Sequence, residues 1–212
     1  MSSNRLRTLV VVTHPKPTSL TRSALKRIID ALDAADVEFR LLDLDELAFD
    51  PRLTRHEAIN HLGSPDDRPD LAPHIEALRW AERLILIHPT WFSGQPARLK
   101  GWFDRVWMNE VAFELPDGAT RIKGRLRQLR RIDVVTTMGS SRWINWIQGN
   151  GGRLRVNRTL RVLCHPRCRT RWTVLHRVDN LEPDDIAAWL DGLPARLDLD
   201  RPATAGPTTI DS

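Results

Sequence analysis

The run Thr8–Thr13 (TLVVVT) constrains this chain most. It is apolar and β-branched throughout, with no alternation, so it reads as a strand buried on both faces in a parallel sheet. His14-Pro15-Lys16-Pro17 ends it, because the prolines cannot extend a ladder. Thr18 or Ser19 can then cap a helix to about Leu32, with Leu25, Ile28, Ile29 and Leu32 at helical spacing. Val37–Asp43 reads as the next strand. A strand–helix–strand opening implies a right-handed crossover and the α/β class.

The alternation continues. Phe49–Pro73 is a polar, proline-rich excursion with one short helix expected at Thr54–Leu62. A helix over Pro73–Glu82 precedes a third buried strand, Arg83–Ile87, and Pro96 opens a helix to about Trp107. Val111–Lys123 reads as a hairpin or loop. Strand four is Arg131–Thr136, a helix follows around Leu154–Leu160, strand five is Arg171–His176, and a last helix runs over Pro183–Leu197. This pattern predicts a doubly wound, five-stranded parallel sheet with helices on both faces, as one domain over residues 1–199. Residues 200–212 (DRPATAGPTTIDS) have the composition of a disordered tail.

Composition narrows the function classes. At 212 residues the chain can bury a core without disulfides or a structural metal. Cys164 and Cys168 stand alone, with no second ligand pair at zinc spacing, so no metal site is expected and the thiols read as reduced. The longest apolar runs, Leu9–Val12 and Leu84–Ile87, are far short of the roughly 18 residues that span a bilayer, and a cytoplasmic protein is expected. The net charge of +5 is concentrated in Arg121–Arg131 and Arg153–Arg177. With Trp143, Trp146 and Trp172 interleaved, this stretch admits nucleic-acid binding. Because its arginines straddle strands four and five, they cannot all share one face, and no nucleic-acid partner is expected.

In a doubly wound sheet, ligands bind outside the carboxyl ends of the strands, where the strand order reverses. Three loops should converge there. The first, His14–Leu20, sets the hydroxyls of Thr18 and Ser19 and the free amides of a helix N-terminus at an anion site, although Ser19 as an ordinary cap explains the same residues. The second, Pro89-Thr90-Trp91-Phe92-Ser93-Gly94-Gln95, exposes two large aromatics, which suits a flat ring system. Its rival is packing of Trp91 and Phe92 under Trp102 and Phe103. The third, Thr136-Thr137-Met138-Gly139-Ser140, is a small turn suited to close backbone approach, with a positive φ expected at Gly139.

Thr13-His14-Pro15 with Thr18-Ser19-Leu20, Phe49-Asp50-Pro51, His88–Trp107 (HPTWFSGQPARLKGWFDRVW), Ala112-Phe113 and Thr136–Ser140 together resemble the NAD(P)H:quinone oxidoreductase family of flavodoxin-like fold. The resemblance covers roughly residues 8–195. It implies a noncovalent FMN or FAD, with His14, Thr18, Ser19 and Leu20 at its phosphate. Pro89, Thr90, Trp91 and Phe92 would lie along its ring, and Thr136, Thr137, Gly139 and Ser140 at the ring's polar edge. It also implies NAD(P)H as electron donor, a quinone-like acceptor reduced in turn in the same pocket, and a homodimer. Asn109-Glu110 stands where this family usually has a glycine-containing turn, and no catalytic helper residue can be matched. Some relatives attach to potassium-efflux transporters, so an ancillary role with the arginine-rich stretch as docking face is the second expectation.

Overall fold

The computed structural model describes residues 5–60, 62–116, 118 and 120–200. The strands are β1 (Thr8–Val12), β2 (Phe39–Asp43), β3 (Arg83–Pro89), a short antiparallel ribbon of β4 (Phe113–Glu114) and β5 (Lys123–Gly124), then β6 (Arg131–Thr137) and β7 (Arg169–Leu175). Apart from the ribbon they form one parallel sheet in the order β2-β1-β3-β6-β7. The expected α/β architecture is thus the observed one.

Alternation along the central strands fills two cores, since successive side chains point to opposite faces. Leu9, Val11, Leu84 and Leu86 face one core, shared with α3 (Ala72–Trp80) and α4 (Ala97–Val106). Val10, Val12, Ile85 and Ile87 face the other, shared with α1 (Leu20–Ala34), α7 (Pro183–Asp191) and α8 (Leu193–Arg196). The excursion after β2 holds α2 (Arg55–Ile59), closed by a reciprocal capping box between Thr54 and Glu57. Its Phe49-Asp50-Pro51 segment lies hard against α4. A Cβ on Gly101 would come within 2.2 Å of the Pro51 carbonyl oxygen, so only glycine fits there.

Three expectations about elements are corrected. Gly192 divides the last helix, leaving α7 and α8 in place of one helix to Leu197. β7 begins two residues early, at Arg169, because Arg131, Ile132 and Asp133 pair with Arg169, Thr170 and Arg171. A helix, α5 (Arg142–Ile147), precedes α6 (Gly151–Arg155), and a π-helical turn over Val156–Leu160 follows.

Part of the arginine-rich stretch is structural. At the amino end of the sheet, buried Asp133 accepts Arg83 Nε at 2.8 Å and Arg131 Nε at 2.7 Å. Both arginines also donate to the Leu197 carbonyl, and Arg131 and Arg171 each reach Asp198 at 2.9 Å. Cys164 and Cys168 are free, buried thiols. Among the described residues no helix is long and apolar enough to cross a membrane. Apart from Asp200, the segment 200–212 lies outside the described residues.

Candidate functional site

The carboxyl ends of β1, β3 and β6 lie side by side, where the strand order reverses around β1. Beyond the strands, Thr13 N donates to the Ile87 carbonyl at 3.2 Å and Thr90 N to the Thr137 carbonyl at 2.8 Å. The hydroxyls of Thr90 and Thr136 share a hydrogen bond at 2.9 Å, which ties the second and third loops together.

Arg22, in the first turn of α1, shapes the loop after β1. Its guanidinium forms a largely buried, bidentate ion pair with Asp43 at the end of β2 and donates to the His14 carbonyl at 3.1 Å. Lys16 N donates to His14 Nδ1 at 3.0 Å. Burial, reinforced by the positive charge of Arg22, lowers the His14 pKa and favours the neutral imidazole. Ser19 is buried and caps α1 by accepting from Arg22 N at 3.3 Å, which leaves its hydroxyl hydrogen free to donate. Thr18 is exposed and Leu20 half-buried. The first amides of α1 lack intrahelical acceptors and carry the positive end of the helix dipole.

The loop after β3 is a two-residue hairpin turn. Trp91 and Gly94 exchange both backbone hydrogen bonds, at 3.1 and 3.0 Å, and Phe92 and Ser93 between them sit at φ 46° and 60°. Such a turn ordinarily takes Asn-Gly; here a bulky aromatic occupies the left-handed region. Trp91 is 58% exposed and Phe92 fully exposed, so the rival packing does not occur: Trp102 and Phe103 instead form an edge-on cluster with Trp107. Ser93 Oγ donates to Gln148 Oε1 at 2.6 Å and braces the turn from outside.

Thr13, Pro15, Asp45, Pro89, Trp91, Phe92 and Gln95 line a cavity of about 570 Å³ between the first two loops. Gln95 belongs to the expected second loop, whereas Asp45 and Arg98 were not expected there. Asp45 follows β2 by two residues, and the β2–β1 pairing brings it over; its carboxylate accepts Thr13 Oγ1 at 2.7 Å and lies 3.5 Å from Arg98 Nε. The signal for Arg98 was Pro96, which opens α4 and sets Arg98 in its first turn.

The third loop is arranged differently from expectation. Thr136 is buried behind the site with its hydroxyl committed to Thr90, while Thr137 and Ser140 are half-buried. Gly139 does not take a positive φ. Its missing side chain makes room for Asp179, whose Oδ2 would stand 2.8 Å from a Cβ. The Ser140 carbonyl faces His176 Nδ1 at 3.4 Å. Beneath the site, wholly buried His88 holds its Nδ1 2.9 Å from the Pro89 carbonyl, and burial pushes its pKa down to about 4. The imidazole is therefore neutral at pH 7. The first two loops together frame the cavity, Thr136 braces the second of them from β6, and no residue of the third loop lines it.

A family model described as flavodoxin-like fold matches residues 6–155. NAD(P)H dehydrogenase [quinone] 1 from Cavia porcellus is 27% identical over 150 residues, covering 63% of this chain. The chain spans only about half of that relative's length, 54%. Smu.1420 from Streptococcus mutans UA159 superposes with a TM-score of 0.78 at 25% identity, covering 91% of this chain and 98% of that one. An FMN-dependent NADH-azoreductase from Bacillus anthracis, solved with FMN, has a TM-score of 0.71 at 13% identity, covering 92% and 99%. With the strand order, the register and the family match in agreement, the chain belongs to the family of flavodoxin-like fold.

Proposed function

We propose that this chain is an NAD(P)H-dependent flavoprotein oxidoreductase that reduces quinones or similar two-electron acceptors. One observation carries the reading: a strained turn keeps Trp91 and Phe92 exposed at a cavity that Thr13 and Pro15, on the loop leading to α1, also line. An exposed aromatic pair on left-handed backbone costs free energy in isolation, and such strain is retained where the surrounding structure uses it. The residues present fit FMN or FAD. Ser19 and the first amides of α1 suit the phosphate; Pro89, Thr90, Trp91 and Phe92 offer a flat apolar wall; Thr137 and Ser140 offer polar groups at the far edge. When bound, a flavin supplies reversible hydride transfer between donor and acceptor.

The chain's own groups position rather than react. Arg22 is neutralised by Asp43 and fixes the curvature of the first loop. Asp45 is held by Thr13 and Arg98, so the cavity carries no uncompensated carboxylate against a phosphorylated ligand. The Thr90–Thr136 bond fixes the separation between the aromatic wall and the polar edge. The name of the guinea-pig relative supports the donor and acceptor classes. Alternating use of one pocket by donor and acceptor, and a homodimer that covers the outer side of Phe92, complete the proposal.

Purified protein should be yellow, or become so with FMN or FAD, and should then oxidise NADH or NADPH only when a quinone is supplied. Protein that stays colourless with either flavin refutes the reading. Sedimentation at one protomer mass removes the dimer alone.

A further inference from the structure

A second cleft, also about 570 Å³, opens on the other side of the third loop. Its floor is the carboxyl end of β7 and the residue after it, where Trp172, Val174 and His176 follow the two-residue period that turns side chains to one face. Its wall is α5. Trp143 and Trp146, one turn apart, stack at 5.2 Å between centroids and 22° between planes, and both remain about two-thirds exposed. Gly152 packs against the Trp172 ring. A Cβ there would press on the Trp172 ring at 3.1 Å, so the glycine leaves that ring room to lie flat.

Two cations line this aromatic cleft, Arg142 and Arg153. Both are exposed, and neither makes an ion pair or a hydrogen bond among the described residues. Half of the other arginines of the stretch are engaged, among them Arg125 with Glu114, Arg131 and Arg171 with Asp198, and Arg155 with Gln95. Among the described residues no carboxylate lines the cleft. Exposed indole faces beside uncompensated guanidinium groups match a ligand that is flat, apolar and negatively charged at its rim.

We propose that this cleft binds a planar aromatic anion, a fused ring system bearing a carboxylate or sulfonate. This cleft shares no lining residue with the cavity that donor and acceptor use in turn on the functional reading above, and binding here requires no flavin.

The test is calorimetric titration of flavin-free protein with naphthalene-2-sulfonate and, for comparison, its uncharged analogue naphthalene-2-sulfonamide. The sulfonate should bind at least tenfold more tightly, and this preference should shrink as salt rises. Arg142→Gln with Arg153→Gln, both at exposed positions, should abolish the preference while leaving the sulfonamide affinity and the unfolding midpoint unchanged. Gly152→Ala should weaken both ligands. Equal affinities for the two ligands, or a preference that survives the double substitution, overturns the proposal. Displacement of the sulfonate by adenosine 2′-monophosphate overturns the ligand class, since the cleft would then take a nucleotide phosphate. Protein that binds the sulfonate but never a flavin leaves this site standing while the flavin reading fails.

Discussion

Replacing Phe92-Ser93 by Asn-Gly separates the cost of the turn after β3 from its use. Both residues occupy left-handed backbone, and the Trp91–Gly94 hydrogen bonds define a turn for which Asn-Gly is the preferred sequence. The left-handed region costs a residue with an ordinary side chain roughly 1–2 kcal/mol, and Asn and Gly tolerate it best. Phe92 is fully exposed, so no packing is lost with it, but the change at Ser93 gives up the hydrogen bond to Gln148, about 0.5–1.5 kcal/mol. After allowance for the extra freedom that glycine gives the unfolded chain, the flavin-free variant should gain about 1–2 kcal/mol. For a chain of this size that is a rise of roughly 2–8 °C in the unfolding midpoint. If Phe92 covers a flavin ring, the same change should weaken flavin binding by about 1–3 kcal/mol, the range for a base on an aromatic side chain, or roughly 5- to 150-fold in Kd. Differential scanning calorimetry of the flavin-free protein and fluorescence titration with FMN measure the two terms separately. A variant that gains no stability refutes the strain argument. One that gains stability and keeps its flavin affinity shows that the exposed aromatic serves something else.

Further predictions test the frame around the site. Asp133→Ala should cost about 3–5 kcal/mol in urea unfolding, because it leaves the buried Arg83 guanidinium without its carboxylate. Gly101→Ala should destabilise by about 1–3 kcal/mol, since the added methyl meets Pro51 backbone. Gly139→Ala should cost less than that, because the obstruction is the mobile end of Asp179. His88 has its pKa lowered to about 4, so between pH 6.5 and 4 the unfolded chain holds a proton that the native state lacks. Stability therefore falls with pH through that window. The His88 contribution to the loss between pH 7 and pH 5 should be about 2 kcal/mol, and His88→Phe should remove that part of the slope. Ser19→Ala should lose about 1 kcal/mol of cap and also weaken flavin binding. A stability loss with flavin affinity unchanged would mean that Ser19 only caps.

The central strands were legible because Leu9–Val12 and Leu84–Ile87 are buried on both faces, which leaves an unbroken apolar run in the sequence. α1 was legible because Ser19 caps it and Ile28 and Leu32 face inward at helical spacing. α5 was not, because its pattern is inverted: Trp143, Ile144, Trp146 and Ile147 face solvent while Asn145 is the buried residue, bonded to Asn150 at 2.6 Å. A reading that equates apolar with inward cannot register such a helix. At the site, the aromatic turn and the Ser19 cap followed from local chemistry. Asp45 did not, because it comes from a different loop, brought over only by the β2–β1 pairing. The role of Gly139 was misread because nothing local signals the approach of Asp179, forty residues later.

The knot of Arg83, Asp133, Arg131 and Asp198 sits at the opposite end of the strands from the aromatic turn. Substitutions that retune what the loops recognise therefore fall far from the contacts that clamp the chain's last helices to the sheet. Such a layout lets ligand preference drift without endangering the scaffold. Loop exchanges among relatives of this architecture should accordingly be judged by what they bind as well as by how they melt, since they leave that clamp untouched.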